Sequence, residues 1–386
     1  MTPFLTLPPE LHSHIAYLAC LADTGPTILS LSQVSKYLNE VSCPYLFHTV
    51  SVAGPQRISL LSSALQKYVS SPRPVADAPV GNLYLGMNQL PPLSERVGLV
   101  STISRILALC SRSLRTLTID FSGAMQESPL LFARVFRTSF PKLEDLTLIG
   151  FYPNPTIPSP PSSRRPSVPP SPTTSTAKSP SSPTPLLNSL EGERATNFPN
   201  VKRLHLSGNR GPSGLFSVGS IASVFPSLEE LKVSGLSMAV GFANEVEEAL
   251  RQSSSTSSLS TQGSSTQVAD GPGETARSVS FADIGTSPGP FPLPSPTRFI
   301  FAPRLPAKIR LLQLQPAPAM EPSIGPMPNT TAIVKDENMM GLLRGVEATY
   351  NGDGGERVDG VRFELLGRGS VEFEEVWEAW RGGLRG

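Results

Sequence analysis

Cysteine is scarce: Cys20, Cys43 and Cys110 are the only three in 386 residues. So small and odd a number cannot build a disulfide framework and suits a reducing compartment, the cytosol or the nucleus. An excess of one charge is also missing, since 32 Lys and Arg stand against 31 Asp and Glu for a formal charge of +1. No whole-chain field therefore favours nucleic acid or a membrane surface as partner. No run of ~18 apolar residues could span a bilayer, and Met1 to Glu10 has no basic segment ahead of an apolar one, so neither an anchor nor a signal peptide is expected. Histidine occurs four times. His12 and His14, two apart, point to different sides of a helix, His48 stands alone beside Phe47, and His205 falls on an outward strand position. None has a cysteine or carboxylate at metal-ligand spacing, there is no C-x-x-C, and neither a Gly-x-Ser-x-Gly elbow nor a P-loop occurs. Gly271 to Ala276 formally matches a dinucleotide fingerprint but holds Pro272 and follows no strand. Asn351 to Glu356 resembles a calcium loop, yet its sixth position is Glu356 where glycine is required. The expectation is a protein with no catalytic residues, no metal and no cofactor.

Proline, by contrast, is abundant at 41 residues, about twice average usage. It is pooled. Residues 152–185 hold 12 prolines and 14 Ser or Thr, and Ser or Thr fills 11 of the 14 positions from Ser253 to Thr266. With little apolar area to offset the entropy of ordering, residues 152–185 and 253–297 are expected to be disordered inserts, and Gln315 to Asn329 a Pro-rich loop. Arg164-Arg165-Pro166-Ser167 and the proline-preceding Ser159, Ser171, Ser179, Ser182, Thr184, Ser287 and Ser295 are candidate phosphorylation sites in these inserts.

What remains is periodic. One six-residue frame, apolar-x-x-apolar-x-apolar, recurs at Val80-Leu83-Leu85, Leu114-Leu117-Ile119, Leu143-Leu146-Leu148, Val201-Leu204-Leu206 and Leu228-Leu231-Val233, with looser copies at Ile309-Leu312-Leu314 and Val358-Val361-Phe363. Once the inserts are discounted the period is near 30 residues. Three copies share a lead-in, Phe140-Pro141, Phe198-Pro199 and Phe225-Pro226. Segments of helical spacing lie between frames, such as Val97, Val100, Ile103, Ile106 and Leu107, or Leu130, Leu131, Val135 and Phe136. Each unit reads as strand, loop and helix, and one such unit cannot bury its own apolar face, so neighbours must stack in parallel. A single α/β sheet with coincidental leucine spacing is the competing reading.

The frame resembles the leucine-rich repeat over residues 80 to 366, with Asn209 matching the asparagine that follows the strand in that family. The resemblance implies an α/β fold, an irregular solenoid whose outward strand residues line a concave face: Tyr84, Thr116, Thr118, Asp145, Thr147, Arg203, His205, Glu230, Lys232 and Gln313. Mixed in sign and rich in hydrogen-bonding groups, these suit a protein partner better than a phosphate backbone. Near the carboxyl end, Phe373, Trp377 and Trp380 share one helix face opposite Glu372, Glu374, Glu375 and Glu378, expected as a lid over the last repeat.

Residues 1–52 read as a short helical module preceding a repeat region, 53–386. Leu11, Ile15, Leu18 and Ala22 form an apolar stripe on a first helix that starts at Leu7-Pro8-Pro9-Glu10. Gly25-Pro26 breaks it, Thr27 can cap a second helix through Leu31, and a third carries Val34, Leu38 and Val41 up to Pro44. An alternating strand, Thr49 to Val52, follows. So small a unit completes its burial against a neighbour or a partner. Leu7-Pro8-Pro9-Glu10-Leu11 with Ile15, then Leu29 to Lys36, then Pro44-Tyr45-Leu46-Phe47, resemble an F-box. That resemblance implies docking to the Skp-type adaptor of a cullin ubiquitin ligase through Leu7, Pro8, Leu11, Ile15, Leu31 and Val34, with the repeat face holding an unidentified protein target. The alternative is an interaction scaffold with no ligase link, its helices only capping the repeats.

Overall fold

The frame becomes strand because its fourth and sixth positions place two apolar side chains on one face and the residue between them on the other. The computed structural model of the chain describes residues 7–23, 25–70, 80–87, 93–122, 128–153, 197–217, 221–257, 303–319, 330–351, 360–369 and 378. Among them, every one of the seven frames carries a strand, preceded by the expected one at Thr49. The strands are β1 (Thr49–Ala53), β2 (Asn82–Gly86), β3 (Thr116–Asp120), β4 (Asp145–Ile149), β5 (Arg203–Ser207), β6 (Glu230–Leu236), β7 (Leu311–Pro316) and β8 (Arg362–Leu365). They form one sheet, parallel throughout, in the order of the chain.

Three helices, α1 (Pro9–Asp23), α2 (Pro26–Val34) and α3 (Lys36–Ser42), precede the sheet, and α4 (Pro55–Val69), α5 (Leu93–Cys110), α6 (Ser128–Arg137), α7 (Ile221–Val224), α8 (Val240–Ser257) and α9 (Thr330–Tyr350) lie in its connections. The described helices pack on the face of the sheet that carries its apolar rows. The apolar rows there run in register, Val50-Leu83-Leu117-Leu146-Leu204-Leu231-Leu312-Phe363 and Val52-Leu85-Ile119-Leu148-Leu206-Val233-Leu314-Leu365. They share one core with Ile58, Ile103, Val135, Phe242 and Leu343 of the helices. Parallel sheets are usually covered on both faces and read as continuous apolar runs. Here burial alternates along β5 and β7, whereas β2 is buried at every position.

The Phe-Pro lead-ins acquire a role. Phe140, Phe198 and Phe225 are fully buried, Phe140 stacking on Phe198 at 5.6 Å and Phe198 meeting Phe225 at 5.0 Å between ring centroids. Aromatic pairs at this separation add to the area they bury, so the lead-in is a spine joining β4, β5 and β6 at their entry ends.

Differences from the sequence reading have local causes. α2 continues to Val34, and its first turn is held by Asp23, whose carboxylate accepts from the Gly25 and Thr27 N–H groups at 3.0 and 2.7 Å. Ser35 then caps α3, its hydroxyl accepting from Leu38 N–H. α8 runs five residues into the stretch expected to be disordered, as far as Ser257. Gln315 and Pro316 extend β7, so the Pro-rich loop starts later. Tyr152, expected as the first residue of an insert, is buried, its backbone N–H and C=O both held by the Asn209 carboxamide. The remainder of both inserts, their serines, residues 271–276 and 352–359, and the aromatic helix at Phe373, Trp377 and Trp380 lie outside the described residues. Among the described residues no helix is long and apolar enough to cross a membrane.

Candidate functional site

Two surfaces stand out, one on the helical module and one on the sheet. On α1 the stripe of large apolar residues faces solvent: Leu11, Ile15 and Leu18 are 47%, 37% and 49% exposed. The face that packs inward is the one made of small or polar residues, His12, Ala16 and Cys20, closing with Ile28 on a core supplemented by Val41, Tyr45 and Leu46. Helix α1 must lie close to its neighbours, and only small side chains permit that. His12 Nδ1 is 2.8 Å from the Tyr37 hydroxyl, and Ser13 Oγ is 2.8 Å from that of Tyr45, so polar contacts fix what a larger core would have held. On α2, Leu29 and Val34 are also exposed, and Leu31 is half-buried. Six of the eleven large apolar residues exposed among the described ones fall within Leu11 to Tyr37, a concentration that scattered surface leucines do not show. Of the six residues the resemblance assigns to an adaptor, Pro8, Leu11, Ile15 and Val34 are open to solvent and Leu7 and Leu31 partly so.

The module is continuous with the sheet. Tyr45 meets the Tyr17 ring, the His48 ring meets Tyr17 edge-on at 5.0 Å, and the His48 carbonyl accepts from both Gly81 and Asn82 N–H at 2.9 Å. A side chain at position 81 would meet the His48 ring at 3.0 Å, which explains the glycine. Burial, with Arg115 nearby, lowers the His48 pKa and keeps this ring neutral at the joint.

The sheet face opposite the helices carries the polar rows. One runs Ser51-Tyr84-Thr118-Thr147-His205-Lys232-Gln313-Glu364, and the other Thr49-Asn82-Thr116-Asp145-Arg203-Glu230-Leu311-Arg362. All the outward residues expected from the frame lie in these two rows, but they are not equally available. Tyr84 and Thr118, expected as partner-binding positions, are buried at 0% and 2% exposure. The Tyr84 hydroxyl donates to Asp120 Oδ2 at 3.4 Å, Asp120 Oδ1 accepts from Ser122 N–H, and burial together with Asp120 raises the phenol pKa. The frame assigns a face to each residue; it does not say how deeply that face is covered. Asp145, Thr147, His205 and Lys232 are half-buried and Arg203 and Glu230 exposed, and Thr116, Gln313 and Glu364 are half-buried and Arg362 exposed, so the face is accessible from Thr116 through β8 and closed at Tyr84 and Thr118.

The charges there engage each other. Arg203 binds Asp145 through two nitrogens, Nη2 to Oδ2 at 2.7 Å and Nε to Oδ1, and Lys202 Nζ pairs with Glu144 Oε2 at 3.0 Å. Glu229 and Glu230 follow on β6, so acidic, basic and acidic pairs alternate on neighbouring strands, each sign opposite its complement. Gln313 donates to Glu364 at 2.7 Å, and Glu364 also pairs with Arg362. His205 Nε2 lies 2.7 Å from Ser234 Oγ, and burial, with Lys232 beside it, pushes the imidazole down to about 3, so it is neutral at physiological pH. Such a face offers shape and hydrogen bonds with little net field.

Sequence reasoning missed three groups. Glu144 and Lys202 occupy one frame position with opposite sign in successive copies, a signal that could have been read. Glu245 of α8, 2% exposed, accepts from Gly214 and Phe216 N–H at 2.6 Å each, while burial raises its pKa. Asp336 of α9 accepts from Met238 N–H and pairs with Arg368 at 2.6 Å, tying the last helix to the sheet. Neither acid stands in a pattern that sequence alone exposes. Among the described residues no cluster of three or more His, Cys, Asp or Glu could hold a metal ion. Searches of family models, curated proteins and solved structures return no match to this chain.

Proposed function

We propose that this protein is a substrate-recruiting, non-catalytic adaptor subunit of a cullin-type (SCF) ubiquitin ligase, acting in the cytosol or nucleus. α1 to α3 form the F-box-like module that docks a Skp-type adaptor, and the sheet is an irregular leucine-rich-repeat-like solenoid whose polar face binds a protein target. The observation that carries this reading is the inversion of α1. A helix that turns Leu11, Ile15 and Leu18 outward and buries His12, Ala16 and Cys20 leaves apolar area that a partner can cover. Holding ligase and target on one chain makes ubiquitin transfer effectively intramolecular, the transfer chemistry belonging to other subunits. Repeat-like organisation is supported by strand order that follows the chain and by one frame recurring in every unit from β2 onward.

A second reading, a scaffold without ligase link, draws on the joint at Tyr17, His48 and Gly81, where the module packs on the first strands as a cap would. Size-exclusion chromatography of the purified chain mixed with a purified Skp-type adaptor separates the two. Stable co-elution that is lost in Leu11→Glu and Ile15→Glu, with unchanged circular dichroism, supports the ligase reading. No co-elution of the wild-type chain removes it and leaves the scaffold.

A further inference from the structure

The boundary between β4 and β5 is clamped from end to end by side chains. Where β5 is entered, Asn197 Nδ2 donates to the Phe136 carbonyl at 2.8 Å and Asn200 Nδ2 to the Pro141 carbonyl at 2.6 Å. At the start of the strands, Lys202 pairs with Glu144 and Arg203 grips Asp145 through two nitrogens. At the exit, the Asn209 carboxamide closes on Tyr152, donating to its carbonyl at 2.8 Å and accepting from its N–H at 3.2 Å. Five side chains drawn from thirteen consecutive residues thus reach back 57 to 61 positions along the chain. Behind them Phe198 stacks on Phe140 and meets Phe136, and Gly150 N–H donates to the Ser207 carbonyl.

The connection across this boundary contains the Pro- and Ser-rich stretch that ends at Pro185, whose composition offers the sheet little to bury. Register in a sheet is fixed by apolar pattern, cross-strand pairs and the connection. Here the first two are present along the whole joint. We propose that this joint holds by itself: residues 7–153 and 197–369 form a two-part assembly that keeps its register without a covalent link, so the chain between them can be cut or exchanged while the sheet stays whole. It does not depend on the ligase reading, since it rests only on contacts within the chain.

The test uses the full chain with a site-specific protease sequence inserted after Lys178, cut to completion and followed by size-exclusion chromatography with light scattering. The expected result is one peak at the mass of the uncut chain, holding both fragments in equal amount, with unchanged circular dichroism. Asp145→Arg, which sets two cations against each other, should raise the fragment dissociation constant at least about 10-fold, whereas Asp145→Glu, which keeps an anion facing Arg203 and leaves Arg203 opposite Glu230, should not. Separation or precipitation of the cut wild-type fragments overturns the proposal. An unchanged dissociation constant in Asp145→Arg, or an equal loss in Asp145→Glu, overturns the role given to the cross-strand charges, and an uncut Asp145→Arg chain that stays folded serves as the control for that arm.

Discussion

Gly150, Gly208 and Gly235 each stand seven residues after the first apolar position of their frame, at the exits of β4 and β5 and within the bulge of β6, and all three have positive φ. Two of them separate conformational cost from steric cost. Gly235 has φ +77°, and an added Cβ there would make only ordinary van der Waals contacts, the nearest at 3.6 Å to Ser207 Oγ. Alanine there pays only for the left-handed backbone, about 1 to 2 kcal/mol. At Gly208, φ +114°, the same Cβ would lie 2.6 Å from the Gly150 carbonyl carbon and closer still to its oxygen, whereas real Cβ contacts essentially never fall below 3.0 Å. The obstacle is backbone, so β4 and β5 must separate at their exits. That strains the hydrogen bond from Gly150 N–H to the Ser207 carbonyl and the two hydrogen bonds between the Asn209 carboxamide and the Tyr152 backbone. Adding about 1 kcal/mol for each of the three weakened hydrogen bonds to the backbone term gives roughly 4 to 5 kcal/mol for Gly208→Ala. Equilibrium urea denaturation of both variants, with the slope checked for constancy, measures the two costs. Equal losses at the two positions, or a larger one at Gly235, would refute the argument that close approach of β4 and β5 selects the glycine.

Other consequences follow from burial and charge. Leu11→Glu and Ile15→Glu, at exposed positions, should alter unfolding free energy by no more than about 0.5 kcal/mol, measured by the same denaturation. A loss of several kcal/mol would mean that these residues belong to the module's core. His205 is lowered in the folded state to about 3, so the unfolded chain binds more protons there. Its contribution is complete above the unfolded value near 6.5 and is lost as pH falls from there towards 3, with a slope of at most about 1.4 kcal/mol per pH unit. His205→Gln, which keeps an amide beside Ser234, should flatten that limb in denaturation curves taken from pH 7 to pH 4, and an unchanged limb would show that the ring is solvated. Burial pushes the Cys110 thiol up to about 12 and raises Cys20, while Cys43 is half-exposed. Iodoacetamide followed by peptide mass analysis should label Cys43 first and the other two only on unfolding; early labelling of Cys110 would contradict its burial between helix and sheet.

Much of the sheet was legible because parallel stacking imposes the same demand on every unit. Leu83, Leu117, Leu146, Leu204 and Leu231 each fill one row of one core, and a demand repeated at regular spacing leaves a repeated frame. The Phe-Pro lead-ins were visible for the same reason, although that they form a stacked spine was not, since ring contacts join residues 27 or more positions apart. The helical module was legible in its breaks and its apolar spacing. Which side of α1 turns inward was not: periodicity marks a stripe, and whether that stripe meets this chain or another one depends on what lies next to it. Tyr84 illustrates the same limit on the sheet, for alternation assigned it to the polar face and depth of cover removed it from the surface. The buried acids Glu245 and Asp336 left no trace, because each is placed by backbone N–H groups, which every sequence supplies alike.

By itself the sequence determined the identity of the strands, the face on which each of their residues lies, and the separation of a helical module from a repeated α/β region. Those follow from local geometry, a period of two along a strand and near four along a helix, which each segment expresses in its own residues. Only the tertiary structure decided which of those faces stay open. It turned Leu11, Ile15 and Leu18 to solvent, covered Tyr84 and Thr118, and joined Asp145 to Arg203 across 58 residues of chain. Exposure and pairing are properties of neighbours in space, and neighbours are set by the order in which eight strands stack.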